Sequence, residues 1–207
     1  MPNPQVRKPP RRGRPEMSSK QREQMKHRIS EVARGLFQQD GYAKISMRRI
    51  AKEIGCTPMT LYGYYEGKID ILRTLWGDVF EELFNGLREI GKDPDPQIYL
   101  KTLCVAYVKY WTDNADYYRL VFMAEGVTQP DVSLFLDNPD IVAQFGLFLE
   151  AIQNLGRDRQ IVDTKPELDF LLSALHGIAH NKITISGYEW SSSEDQIHYA
   201  VRGISIT

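Results

Sequence analysis

The stretch from Ser46 to Tyr64 constrains the fold most. Ser46 is a good helix N-cap, and Met47-Arg48-Arg49-Ile50-Ala51-Lys52-Glu53-Ile54 follows it and stops at Gly55. Thr57 is a second N-cap, with Pro58 at the first helical position, where its missing N–H costs little. A short helix through Tyr64 follows. Two brief helices separated by a Gly-containing turn of about three residues form the helix-turn-helix signature.

The flanks extend the pattern. Upstream, Ser18-x-x-Gln21 reads as a capping box that opens a first helix. Its apolar residues Met25, Ile29, Val32, Ala33, Leu36 and Phe37 recur at steps of three and four, and Gly41 is expected to end it as a left-handed cap. Downstream, Glu66-Gly67 breaks the chain before a long amphipathic run through Ile69, Leu72, Leu75, Trp76, Val79, Phe80, Leu83 and Leu87. The remainder reads as helices over 97–113, 115–125, 140–156, 166–187 and 194–204. Residues 126–139 read as a loop with one turn of helix, and a break falls at 157–165. No strand pattern, repeat or βαβ alternation is present.

The expected architecture is all-α. A basic arm (1–17) precedes a three-helix helix-turn-helix domain (18–67), and a helical ligand-binding and dimerisation bundle follows (68–207), with 68–87 as the connecting helix.

Charge divides the chain at the same place. Residues 1–68 hold 15 Lys/Arg against 6 Asp/Glu, and residues 69–207 hold 11 against 21, although the whole chain sums to −1. A basic head on an acidic body is what a nucleic-acid-binding chain would show, because the head releases counterions from phosphates and the body avoids the polyanion; an accident of surface charge is the competing reading. Hydrophobic residues at 42% suffice for a packed core. No apolar run approaches the roughly 20 residues that cross a bilayer, and no apolar leader opens the chain, so a cytoplasmic protein without a membrane role is expected. Cys56 and Cys104 do not suggest a disulfide framework and read as small buried apolar residues.

The segment Leu36-Phe37-Gln38-Gln39-Asp40-Gly41-Tyr42, then Ser46-Met47-Arg48-Arg49-Ile50-Ala51, then Gly55-Cys56-Thr57-Pro58-Met59-Thr60-Leu61-Tyr62-Gly63-Tyr64-Tyr65-Glu66-Gly67-Lys68, resembles the DNA-binding domain of the TetR/AcrR family of bacterial regulators. The likeness runs over residues 20–72. It departs at Gly63 and Tyr64, where the family usually has a larger residue and then His. The resemblance implies a cytoplasmic bacterial transcription factor, a ligand-responsive repressor that binds a pseudo-palindromic DNA operator as a homodimer. It also implies phosphate contacts for Tyr62 and Lys68 and base reading by Arg48.

The residues support that reading on their own terms. With Leu61 turned inward beside Ile50 and Ile54, the residues Thr57, Pro58, Met59, Thr60 and Tyr64 are left to face the groove. Thr60 suits a base edge or a phosphate, Pro58 or Met59 a thymine methyl, and Arg48 the O6/N7 pair of guanine. Tyr62 and Lys68 suit phosphates. Plain packing for Tyr62 and a solvated charge for Lys68 are the competing readings. The arm Arg7-Lys8-Pro9-Pro10-Arg11-Arg12-Gly13-Arg14-Pro15 either follows a minor groove through Arg12 and Arg14 or adds only phosphate affinity.

In the body, Tyr110 to Phe122 and Leu175 to His180 resemble a TetR-like C-terminal subtype with a His-Gly pair. Tyr107, Trp111, Tyr118, Phe122, Phe145, Phe148 and His176 are the candidate lining of a pocket for a small apolar or aromatic effector, with ordinary core packing as the alternative. Helices near 140–156 and 166–187 are apolar over several faces and are the expected dimer contacts. His176 and His180 stand four residues apart, a spacing that suits two metal ligands, but no zincin pattern or nearby Cys supports it. No cofactor and no metal are expected. Two other classes compete: an architectural DNA-binding protein that ignores sequence, and a metal enzyme built on His176, His180 and Asp169. No nucleophile elbow, P-loop or dinucleotide fingerprint supports an enzyme.

Overall fold

In the computed structural model, which describes residues 18–155 and 164–205, every regular element is helical. The arm with Arg12 and Arg14, and most of the break expected at 157–165, lie outside the described residues.

Helix α1 (Ser19–Asp40) opens on the expected capping box: the Gln21 N–H donates to Ser18 Oγ at 3.3 Å, and the Ser18 N–H to Gln21 Oε1 at 3.0 Å. Its end differs from expectation. Gly41 has φ +82° but ψ 145°, a mirror-extended conformation rather than a left-handed helical one, and the chain runs straight into a 3₁₀ turn, η1 (Tyr42–Lys44). Helix α2 (Met47–Ile54) is capped by the Ser46 hydroxyl. It ends at Gly55 in the left-handed region (φ 80°, ψ 33°), with the Cys56 N–H donating to Ala51 O at 2.9 Å, as in a Schellman turn. Helix α3 (Pro58–Tyr62) is shorter than the run to Tyr64. The N–H groups of Gly63 and Tyr64 bond three residues back, to Thr60 and Leu61, so the last turn tightens and Tyr64 leaves the helix.

Helix α4 (Lys68–Arg88) buries one continuous face, from Ile71 and Leu72 near its start to Phe84 and Leu87 near its end. It packs on α1 in the head and, in the body, on α5 (Pro96–Asp113) and α6 (Ala115–Phe122). Two hydrogen bonds fix it there: Trp76 Nε1 donates to Leu120 O at 3.0 Å, and the Tyr110 hydroxyl to Val79 O at 3.2 Å. Helix α5 is the axis of the body and touches α9 (Gly146–Leu155), α10 (Lys165–Thr184) and α11 (Ser193–Ser205).

The body departs from the sequence expectation in four places. The region expected as a loop with one turn of helix contains an eight-residue helix, α7 (Gln129–Leu136), because Thr128 and Asp131 form a capping box. The single helix expected over 140–156 is two, α8 (Pro139–Gln144) and α9. The backbone tightens at Phe145, whose N–H donates to Val142 O and whose ring turns in against Phe80 and Phe84. Helices α6 and α10 also stop three residues early, at Phe122 and Thr184.

One guanidinium joins the N-terminal turns of α4 and α7. Arg73 pairs with Asp70 and with Asp131, each at 3.0 Å, and Asp131 also accepts from Thr128. Those bonds from Thr128, ahead of the Arg73 charge, hold the Asp131 carboxyl below its ordinary value.

Two glycines give opposite predictions. Gly55 needs a positive φ, so Gly55→Ala should destabilise by about 1–2 kcal/mol. Gly35 lies inside α1 with open space where a Cβ would stand, so Gly35→Ala should stabilise by up to about 1 kcal/mol. Urea midpoints of the two variants should move in opposite directions.

Candidate nucleic-acid interface

The position of α3 follows from one side chain. Leu61 is fully buried in the same core as Ile29, Ile50 and Ile54, and this fixes which edge of a five-residue helix faces outward. Thr57 is exposed, Pro58 and Thr60 are half-buried, and Met59 is 79% exposed. Tyr62 is 51% exposed, which removes plain packing as its explanation. Thr57 caps the helix: its hydroxyl oxygen accepts the Thr60 N–H at 3.1 Å and lies 2.9 Å from the Thr60 hydroxyl. Arg48 projects from the first turn of α2 and is exposed, whereas its neighbour Arg49 is spent on Asp40 at 2.6 Å.

Tyr64 and Lys68 are more constrained than their sequence positions suggest. Tyr64 is half-buried beyond the end of α3, with the Arg22 guanidinium 5.2 Å from its ring centre. Lys68 stands at the first position of α4, where the helix dipole has the wrong sign for a cation. Its ammonium turns back to donate to Tyr42 O at 2.8 Å and lies 3.9 Å from the centre of the Tyr42 ring. Burial there pulls the Lys68 pKa down from its ordinary value. A solvated surface charge does not describe it.

Sequence reasoning missed the residues that hold this edge in place. Arg22 of α1 donates to Gly63 O at 2.9 Å, and Arg28 donates to Ile54 O at 3.0 Å. Each guanidinium sits at the C-terminal end of a helix of the motif, where the dipole favours a cation and free carbonyls need donors. A buried hydroxyl pair, Ser30 with Tyr65 at 3.2 Å, closes the same face. These partners are 26 to 41 residues apart, so no local pattern could reveal them.

In the body, all seven candidate pocket residues meet in one ring cluster. Trp111 contacts Tyr107, Tyr118 and Phe122, and Phe122 reaches His176 at 4.7 Å between centroids. Tyr107 packs on Phe148, while Phe145 joins through Phe80. Tyr107, Trp111 and Phe148 are fully buried, and Phe122 at the rim is 41% exposed. The two histidines are taken up by tyrosines: the Tyr107 hydroxyl lies 2.9 Å from His176 Nε2, and that of Tyr118 lies 3.3 Å from His180 Nδ1. Asp169, the third member of the metal reading, is paired with Lys165 instead. Among the described residues no group of three His, Cys, Asp or Glu is arranged to hold a metal ion.

One polar atom in the cluster is unpaired. The Trp111 indole N–H is buried and has no hydrogen-bond partner, a situation that costs about 1–3 kcal/mol. Burial outweighs the smaller opposing influence of the neighbouring Trp111 side chain and pushes the Tyr107 hydroxyl pKa up.

Residues 29–75 match the family described as bacterial regulatory proteins, tetR family. An HTH-type transcriptional regulator of Staphylococcus aureus (strain USA300) is 46% identical over 46 residues, which are 22% of this chain and 25% of that protein. The chain thus matches about a quarter of the length of its curated relatives. Solved structures are similar over nearly the whole chain. The fatty acid degradation regulator FadR from Bacillus halodurans has a TM-score of 0.65 at 17% identity, covering 86% of this chain and 93% of its own. Salmonella enterica GusR has a TM-score of 0.67 at 22% identity, covering 89% and 96%. These likenesses establish the all-helical fold of the body, and the match over residues 29–75 shows that the head is similar to the DNA-binding domain of tetR-family regulators.

The partly buried His176 yields a pH prediction. Burial lowers the His176 pKa from 6.5 to about 4. Between those values the unfolded chain binds a proton that the native chain refuses, so the stability from this group is complete above pH 6.5 and is lost as pH falls toward 4. The urea midpoint of the wild type should therefore drop between pH 7 and pH 5, and His176→Gln should flatten that drop. An unchanged slope in the variant would exclude His176 as its source.

Proposed function

With a TetR-type head as the premise, we propose that this chain is a cytoplasmic, homodimeric transcriptional regulator. It binds a pseudo-palindromic operator through the head (18–67) and releases it when a small apolar or aromatic effector enters the body (68–207). The observation that carries the reading is the division of α3: Leu61 is buried in the head core while Thr57, Met59 and Tyr62 are turned outward. That is the arrangement by which a recognition helix enters a major groove.

A homodimer is supported by the apolar side chains left on the body surface. Phe170 on α10 is 52% exposed, Val142 on α8 58% and Tyr199 on α11 73%. The contribution expected from 140–156 is smaller than its composition suggests, since Phe148, Ala151 and Ile152 are already buried within the chain. We therefore place the two-fold contact chiefly on α10 with α11 beside it. Dimeric recognition helices have to meet major grooves about 34–36 Å apart or at a related spacing. Because α4 is packed into both head and body, tilting it changes that spacing. An effector achieves release only to the extent that it prefers the non-binding conformation.

Fragments of genomic DNA selected by the purified protein test the reading: a two-fold-related sequence should emerge, bound at least about 10³-fold more tightly than random duplex. Arg48→Ala should relax preference at one base pair per half-site, costing about 1–3 kcal/mol. Tyr62→Phe and Lys68→Ala should weaken binding to all sequences alike, and Lys68→Ala should also lower the stability of the head. Affinity should fall steeply with salt. A salt-independent interaction, or selection of no shared sequence, would overturn the proposal.

A further inference from the structure

The ring cluster of the body specifies the chemistry of what it can take. Its core consists of Tyr107, Trp111, Tyr118, Phe122, Phe148 and His176, and among the described residues the cations that lie over rings use Tyr42, Tyr64, Tyr65 and Tyr117 instead. An ion brought among the fully buried Tyr107, Trp111 and Phe148 would leave water for apolar ring faces, and burying an unpaired charge is far more costly than burying a neutral polar group. Two imidazoles touch these rings: His176, which burial holds neutral at physiological pH, and His180, whose ring lies 6.0 Å from that of Tyr118. The Nε2 of His176 is already engaged with the Tyr107 hydroxyl.

Against that neutral background stands a single unmet polar demand. The indole N–H of Trp111 is a donor only, is buried, and finds no acceptor. The cluster is closed by its own rings, and its accessible edge is Phe122, the last residue of α6, whose ring lies against His176.

We propose that the effector is an uncharged aromatic molecule bearing a hydrogen-bond acceptor, which displaces the Phe122 ring from His176 and takes the Trp111 N–H. This rests on the reading of the body as a sensor. The acceptor is a carbonyl, ether or ring nitrogen: an aromatic hydrocarbon fills the space but leaves the donor unmet, and a carboxylate brings a charge that the rings cannot pair. The displaced Phe122 ring lies at the end of the helix whose Leu120 carbonyl holds Trp76 of α4, so entry acts on the element that carries the head.

The test uses three molecules of similar shape titrated calorimetrically into the full chain without DNA: 2-acetylnaphthalene, 2-isopropylnaphthalene and 2-naphthoate. The acetyl compound should bind about tenfold more tightly than the isopropyl compound, the factor that a hydrogen bond of about 1.4 kcal/mol supplies. The naphthoate should bind most weakly. Trp111→Phe should abolish the acetyl preference and leave the affinity for the isopropyl compound unchanged. If that variant fails to fold, the indole N–H resonances of the wild type serve instead: one should move downfield with the acetyl compound and stay in place with the isopropyl compound. Equal affinity for the two neutral compounds, tightest binding of the naphthoate, no binding of any of the three, or an acetyl preference that survives in Trp111→Phe would each overturn the proposal. Binding of 2-acetylnaphthalene through Trp111 with no effect on affinity for the selected DNA would uphold the pocket chemistry and overturn the sensor reading alone.

Discussion

The structure depends on the buried face of α4. This helix contributes Ile71, Leu72 and Leu75 toward the head, and Val79, Phe80, Leu83 and Phe84 along the body, within one unbroken core. At roughly 25 cal/mol per Å² of apolar surface removed from water, a face of this length outweighs any single polar contact along it. Polar contacts decide orientation instead. Trp76 bonded to Leu120 O, Tyr110 bonded to Val79 O, and Arg73 between Asp70 and Asp131 permit one rotation of α4 about its axis. Arg34 adds a further tie at the junction, pairing with Asp78 on α4 at 3.7 Å and donating to the Tyr117 hydroxyl of α6 at 3.2 Å.

The head was legible in the sequence because its determinants are local. Ser18, Ser46 and Thr57 each cap the helix expected of them, and Gly55 takes the left-handed turn that its position requires. The inward turn of Leu61 follows from its spacing relative to Ile50 and Ile54. What the sequence concealed was long-range. The bond from Lys68 to Tyr42 O and the bracing of two helix ends by Arg22 and Arg28 join residues far apart in the chain. Gly41 shows a subtler limit: a glycine after a helix announces a positive φ, but ψ is set by where the chain goes next, here into the η1 turn.

The body was legible as helices and as an aromatic cluster, less so in its segmentation. The Thr128-x-x-Asp131 box was available as a signal for α7, but the surrounding Pro, Asp and Asn residues favoured a loop. The break at Phe145 was not available, since it arises from the pull of one ring toward Phe80 and Phe84 in another helix. Side-chain spacing marks seven aromatic and His residues as a cluster; only their packing reveals that one of them, Trp111, keeps a polar atom unsatisfied.

The brevity of α3 has a consequence for how the protein matures. Five residues are far below the length at which a helix persists by itself in water, so this one exists only while α1 and α2 hold Leu61 and the Gly63 carbonyl. The Lys and Arg residues of the head, by contrast, carry their charge whether or not the chain is folded. A newly made or partly denatured molecule would therefore cling to polyanions without discrimination. Selectivity among sequences would arrive only with the final consolidation of the head.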